Sequence, residues 1–459
     1  MQSREEGSDT AMKGNSYVPF MKRKGDGSTL SLDFTKMSAL DSRFTFTRST
    51  TATYINSSGY VATMAAAATN DPTKARLDYD PTTLAAKGLL IEGSTANLTK
   101  RSDNAFSNAY WNSTANNVTA VDSAVTSPTG VALTASTITE IANALSVTHH
   151  IHQTIGEFTP TVATSYTMSA WVKQPPSAAI RYVQLAFFIA GFGATAYMNY
   201  DIQAGTVGTG GAAITASTIT AYPDGWYRIT ATAPATATGS SGFQLGFSTT
   251  SSAVRTESYT VSGGSEKAIY LWGAQVEAGV GASSYIPTVA SQVTRSSDEC
   301  YMADISSFNY SNTSASMAMQ FMYAKQSTGY IAQIGFMTAI DQPTIESLAN
   351  GLSFFTSVRG ASLSTGGLNE ISKTFTLNTA IKYSYSVDTT TDPILRVNLN
   401  SSASSVNKSG TGNIYTATRF VFGRLPASTY GSNFGSITIK SVKYWPTTKT
   451  AAELAALTL

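Results

Sequence analysis

The amino-acid sequence predicts an all-β protein, with two jelly-roll or β-sandwich domains, an extended N-terminal arm and a short C-terminal helix. Three observations predict it. Thr, Ser, Ala and Gly are abundant and the aromatic residues include 23 Tyr and 20 Phe, a composition that suits half-buried pleated sheets. Many short runs alternate apolar and polar residues, the period-2 signature of strands. Clusters of Gly, Asn, Ser and Asp separate those runs and supply turn conformations.

Residues 1–28 are polar and of mixed charge, with no helical or strand periodicity, and are expected to form an arm that docks on a partner. Residues 29–104 are expected to form a β-rich segment packing on the sandwiches. There "STLSLDF", "RFTFTRSTTATYINSSGYVAT", "ARLDYDP" and "GLLIEG" alternate, and the polar Asn56 to Gly59 suits a hairpin turn. Residues 105–298 hold strand candidates that include "ALSVTHHIHQTIGEF", "SYTMSAWVKQ", "IRYVQLAFFIAGF", "GWYRITATA", "FQLGFST" and "IYLWGAQVEAGVGASSYIPT", the spacing of a first sandwich. Residues 299–459 repeat the pattern in "SASMAMQFMYAK", "YIAQIGF", "IKYSYSVD" and "GSITIKSVKYWP". The chain closes on "TAAELAALTL", where Thr450 caps a helix and Glu453 returns the bond as a capping box.

The composition also sets bounds on function. At 459 residues the chain is long enough for two or three domains. Lys and Arg number 30 against 28 Asp and Glu, a net charge of +2, so no broad electrostatic footprint for nucleic acid exists. The single cysteine, Cys300, excludes an internal disulfide framework and any multi-cysteine zinc site. The N-terminal residues lack the apolar core of a secretory signal and no long apolar run follows, so synthesis in the cytoplasm without membrane insertion is expected.

Several stretches resemble bacteriophage virion proteins, mainly tail fibre, tail tip and related appendage components. They are "FTFTRSTTATYINSSGYV", "GLLIEGSTANL", "YPDGWYRITAT", "IYLWGAQVEAGVGASSYIPT", "VTRSSD" and "IKSVKYWPTTKTAAELAAL". The resemblance makes residues 105–298 a carbohydrate-binding-module-like jelly roll and 299–459 a concanavalin A-like lectin or glucanase sandwich. It implies a virion structural protein that joins other virion proteins through residues 1–28, forms a homo-oligomer such as a trimer, and binds host cell-surface glycans. Two alternatives stand beside this reading: a capsid-decoration or tail-connector protein with no sugar affinity, and a polysaccharide depolymerase.

The glycan-binding candidates are Trp226 and Arg228 in "GWYRITAT", Trp171 and Lys173 in "TMSAWVK", and Arg181 and Tyr182 in "IRYVQ". An indole plane beside a guanidinium fan can stack a sugar ring and donate to its hydroxyls. The competing reading of each is a packing or cation–π pair inside the protein. In Ile269–Thr288, strict alternation puts Tyr270, Trp272, Ala274 and Val276 on one face, and Ile269, Leu271, Gly273, Gln275 and Glu277 on the other. That pattern suggests a central strand with a core Trp272, and with Gln275 and Glu277 at an end or against a neighbour.

No catalytic residues, metal ligands or cofactors are predicted. His149, His150 and His152 cluster in one strand, but only His150 and His152 share a face, so zinc is not expected. Glycoside hydrolysis needs two carboxylates roughly 5 to 10 Å apart, whereas Glu92, Asp201, Glu277 and Asp388 are isolated in sequence and no same-strand Glu-x-Asp-x-Glu set occurs. Neither a GxSxG elbow nor a phosphate loop is present.

Overall fold

The computed structural model describes residues 26–113, 116–153, 157–176, 181–325, 330–337, 343–350, 353–358, 373–374, 376–390, 394–400, 402–407, 416–423 and 435–458. The arm expected at 1–28 therefore lies, through residue 25, outside the described residues. What is described is all-β, as the alternation predicts: strands make up every layer, and the last element is the short helix Ala451–Ala456.

The central sandwich pairs two six-stranded sheets. One runs in the order Ala216–Ala221, Tyr227–Pro234, Ser165–Lys173, Ala268–Ala278, Ala135–Glu140 and Val118–Val125. The other runs Thr206–Gly210, Tyr197–Asp201, Tyr182–Ala186, Gln244–Ser248, His150–Gln153 and Trp111–Asn112. Alternate residues of both sheets, among them Met168, Ala170, Ile229, Val183, Leu185, Leu245 and Phe247, meet in one buried cluster between them, as expected when two pleated faces bury their apolar sides against each other.

The second sandwich is built from both ends of the chain. Its larger sheet orders Ser402–Asn407, Ile394–Leu399, Ala380–Asp388, Ser314–Lys325, Ser436–Trp445, Ala86–Glu92 and Arg76–Tyr79, with Leu30–Asp33 also paired to Ser436–Trp445. In its second sheet Phe44–Thr47 pairs with Glu299–Met302, which pairs with Arg419–Gly423. Four strands of the 29–104 segment, Leu30–Asp33, Phe44–Thr47, Arg76–Tyr79 and Ala86–Glu92, are thus built into the sheets of the second sandwich. Leu30, Leu32, Phe44, Phe46, Leu89 and Ile91 share a core with Met317, Phe321, Tyr383 and Phe422. The terminal helix is fixed by the local device its sequence carries. Thr450 Oγ1 accepts from the Glu453 amide while Glu453 receives the Thr450 amide at 2.7 Å, satisfying donors the first helical turn leaves open.

One correction concerns the faces of the Ala268–Ala278 strand. Ile269 and Leu271 join the central core together with Ala274 and Val276, whereas Tyr270 and Trp272 face the other way. Alternation slips because Gly273 adopts φ +67° opposite a register shift between Ser169 and Trp171. A bulge of this kind needs a residue tolerant of positive φ. A Cβ at Gly273 would also lie 2.7 Å from the Trp171 ring. The slip carries Gln275 and Glu277 to the same side as Trp272, toward the junction with the second sandwich.

Candidate functional site

The junction is held by charge. Arg76, from the strand Arg76–Tyr79, contacts Glu92 at 2.6 Å and Asp298 at 2.5 Å. Arg48 meets the other oxygen of Asp298 at 3.0 Å, and Arg295 meets Glu92 at 2.7 Å. All five side chains are buried. Their remaining capacity goes mostly to the backbone: Arg48 donates to the Thr50 and Ala65 carbonyls, Arg295 to Gly93 and Arg76 to Thr53. Glu92 also accepts from the Ser284 amide and hydroxyl and from Ser436 Oγ. Burial alone would raise the Glu92 carboxyl, but Arg295, Arg76 and Ser284 outweigh it and hold the group well below the usual carboxylate range.

A second pair extends the junction. Lys325 Nζ lies 2.6 Å from Glu277 and donates to Thr95 Oγ1, while Glu277 accepts from the Ser283 amide and hydroxyl and from Gln275 Nε2. Sequence reasoning treated Glu92 and Glu277 as isolated and did not single out Arg48, Arg76, Arg295 or Asp298. A signal was present. All the stretches carrying the phage resemblance between Phe44 and Asp298, "YPDGWYRITAT" aside, deliver a charged residue to this junction: Arg48, Glu92, Glu277, Arg295 and Asp298.

Beside the junction opens a cleft of about 590 Å³. One wall is the outer face of the central sandwich, where alternation along Ala216–Ala221 and Tyr227–Pro234 presents Thr218, Thr220, Arg228, Thr230 and Thr232. The opposite wall comes from the second sandwich through Met322, Ala324, Leu377, Asn378 and Thr438. The hairpin of Ala52–Ile55 and Val61–Met64 contributes Tyr54, Ile55 and Val61, and the strands beneath it contribute Asp78 and Lys87.

The structure brings three of the six glycan candidates together, but not as a stacking platform. Trp171 and Trp226 are each 1% exposed. They pack with Trp272, Tyr285 and Val61 in a cluster of their own, and the Trp226 indole donates to the Thr126 carbonyl at 3.2 Å. Neither ring offers a face to solvent, which corrects the expectation that they stack a sugar. Arg228 lies over Trp171 at 4.4 Å and donates to Ser169 Oγ and the Ser283 carbonyl, so it serves the internal cation–π reading. Lys173 is half-buried at the end of the Ser165–Lys173 strand, paired in register with Tyr270.

Arg181 and Tyr182 sit apart, on the other sheet of the central sandwich. Arg181 is tied to Glu140 at 2.7 Å and lies over Tyr259, and Tyr182 pairs with Ser248 in the sheet ladder. His150 and His152 stack with ring centroids 5.3 Å apart, and His149 points away to stack on Tyr259. Among the described residues no group of three or more His, Cys, Asp or Glu is placed to hold a metal. Cys300 is buried, and no helix among the described residues is long and apolar enough to cross a membrane.

Asp78 is the cleft group that sequence reasoning missed. It is 9% exposed, and its Oδ1 accepts the Ile55 amide at 2.8 Å. Burial pushes its carboxyl up to about 6, against the pull of Lys87, the Ile55 amide and Arg76 and with a small push from Glu92. Nothing in "ARLDYDP" distinguishes this aspartate from a solvated one, because its surroundings are assembled from residues distant in sequence.

No protein-family model matches the chain, and no curated protein matches it. Among solved structures it is similar to the receptor-binding domain of botulinum neurotoxin mosaic serotype C/D, at 8% identity and a TM-score of 0.26 over 35% of this chain and 39% of that one. A botulinum neurotoxin type C structure, described as entering cells through interaction with two ganglioside molecules, matches at 9% identity and a TM-score of 0.27 over 35% and 39%. The chain thus spans well under half the length of these neurotoxin structures. The N-terminal tandem CBM22 domain of Paenibacillus barcinonensis Xyn10C matches at 10% identity and a TM-score of 0.21, over 77% of this chain and all of that one.

Proposed function

We propose that this chain is a non-enzymatic component of a bacteriophage particle, a tail fibre or appendage protein that uses the cleft beside the charged junction to hold a saccharide of the host surface. The observation that carries the recognition part is the cleft itself. It is of ligand size, it is floored by threonine hydroxyls, and it is framed by elements that the buried ion pairs lock in place. Threonine hydroxyls both donate and accept, which suits a ligand whose surface is hydroxyl.

The particle assignment is supported by the sequence resemblance alone. On this reading residues 1–28 dock into the particle and copies assemble as a homo-oligomer, so weak single-site contacts act together through raised effective concentration. The non-enzymatic part is supported by the state of the carboxylates. Hydrolysis needs one carboxyl free to give a proton and a second free to act as base or nucleophile. Of the two in the cleft lining, Glu92 is committed to two arginines and two serines, which leaves Asp78.

The test is a printed panel of capsular and lipopolysaccharide oligosaccharides, probed with the full chain, with reducing-end release measured in parallel. Binding to at least one oligosaccharide without release of reducing ends is expected. A uniformly silent panel would favour a decoration or connector protein, and new reducing ends would establish a depolymerase.

A further inference from the structure

We infer that the saccharide held in the cleft is uncharged, that the Asp78 carboxylate fixes it by accepting from its hydroxyls, and that acidification releases it; the inference rests on the saccharide reading above. The geometry begins with what Asp78 has left over. Its Oδ1 is taken by the Ile55 amide, and its Oδ2 accepts from none of the described residues. An ionised carboxylate only accepts, and one lining a cleft this sheltered costs free energy until donors reach it. Hydroxyl groups of a neutral sugar supply such donors.

The same lining argues against an anionic sugar. A second carboxylate or a phosphate beside Asp78 would place like charges together in a sheltered site. Of the cations in the lining, Arg228 holds Ser169, Ser283 and the Trp171 ring, and Lys87 is shared between Asp80, at 3.9 Å, and Asp78, whose carboxyl it pulls down. Thr218 and Thr230 are joined by a 2.7 Å hydrogen bond between their hydroxyls, in which either can donate, and both can turn as donors or acceptors toward a further hydroxyl.

The pH response follows from the charges around Asp78. Lys87 and Glu92 act on it from the neighbouring strand and Arg76 from its own strand, while Tyr222 lies within reach of both Asp78 and Asp80. Glu92 is held below the usual range. Against burial, the Thr83 and Thr82 amides hold Asp80 low, and burial pushes Tyr222 up to about 12. Asp78 is then the carboxyl that changes charge near pH 6. If only its ionised form binds, the competent fraction falls about tenfold between pH 7 and pH 5, and the apparent Kd rises by the same factor. Unfolding does not explain that loss. A carboxyl whose folded value lies above its unfolded one favours the folded state at low pH and gives up that stability as pH rises from about 4 to about 6.

The experiment compares neutral hexose and N-acetylhexosamine oligosaccharides with uronate- and sialate-bearing ones, titrated into the full chain at pH 5, 6 and 7, for wild type and Asp78→Asn. The asparagine keeps an oxygen for the Ile55 amide, and an unchanged circular dichroism spectrum checks that the variant is folded. Neutral ligands are expected to bind, with Kd rising about tenfold from pH 7 to pH 5. Asp78→Asn should bind at least about tenfold more weakly at pH 7, with a flat pH profile. Binding of the anionic class, a flat wild-type profile or an unaffected variant defeats this inference and leaves the saccharide reading standing. Silence of both classes defeats the two together.

Discussion

Replacing Arg76 with methionine is expected to destabilise the protein by about 3–5 kcal/mol, the range for removing one partner of a buried ion pair. Arg76 spans both carboxylates of the junction, reaching Glu92 with one terminal nitrogen and Asp298 with the other. Without it, two buried carboxylates remain with one arginine each, Arg295 and Arg48. Methionine fills much of the volume but supplies no donors. Arg76→Lys should recover little, because one ammonium cannot reproduce the planar fork. The measurement is the shift in urea midpoint at pH 7 at constant slope.

The same network sets a sign for pH. Glu92 is depressed in the folded state, so its contribution is complete above the unfolded value near 4.5 and is lost as pH falls below that toward the folded value. The difference between wild type and Arg76→Met should therefore shrink on acidification below about 4.5. A shift under about 1 kcal/mol at pH 7 would show that the Arg76 pairs do not hold the Arg76–Tyr79 and Ala86–Glu92 strands to the segment around Asp298.

Trp226→Ala is expected to cost about 3–5 kcal/mol through cavity formation, and Trp171→Ala a similar amount. Trp226 is enclosed by Trp171, Trp272, Tyr285, Val61 and Ala135, and truncation also strands the Thr126 carbonyl that its indole satisfies. The rings meet edge to face, Trp171 with Trp272 at 5.2 Å and 70°, and Trp171 with Tyr285 at 5.7 Å and 78°, an arrangement that adds to burial alone. Trp226→Phe should retain most of the stability. The measurement is again the denaturation midpoint. A well-folded Trp226→Ala that had lost only ligand binding would return this residue to the role its sequence context suggests.

What the sequence made legible was what neighbours along the chain determine. Alternation marks Ser314–Lys325 and Ser436–Trp445 because one face of each strand meets a core, and Thr450 with Glu453 marks the terminal helix because both halves of that cap lie within one turn. Trp226 and Arg228 were rightly placed on one face, yet alternation gives no sign of whether that face meets solvent or another domain. Trp226 is buried against Trp171, Trp272, Tyr285 and Val61, and Arg228 lies over Trp171 at the edge of the cleft. Gly273 hid the change of face in Ala268–Ala278, since a bulge is set by register with the Ser165–Lys173 strand.

The charged junction was illegible for the same reason, with Arg48 and Asp298 separated by 250 positions. An isolated carboxylate in a strand reads as a solvated one until its partner strands are known. The composition did carry a hint in retrospect. A chain with only 13% charged residues that repeatedly sets one Arg, Glu or Asp inside an apolar alternation places charge where it has to be paired.

The most direct test of the cleft as the recognition site is hydrogen exchange on the full chain, with and without a saturating oligosaccharide from the panel. Slowed exchange is predicted in Ala216–Ala221, in Tyr227–Pro234 and at Ile55, whose amide is held by Asp78, with the Thr206–Gly210 and Gln244–Ser248 strands unchanged. Protection confined to Thr206–Gly210 and Gln244–Ser248, with the cleft unaffected, would contradict the account.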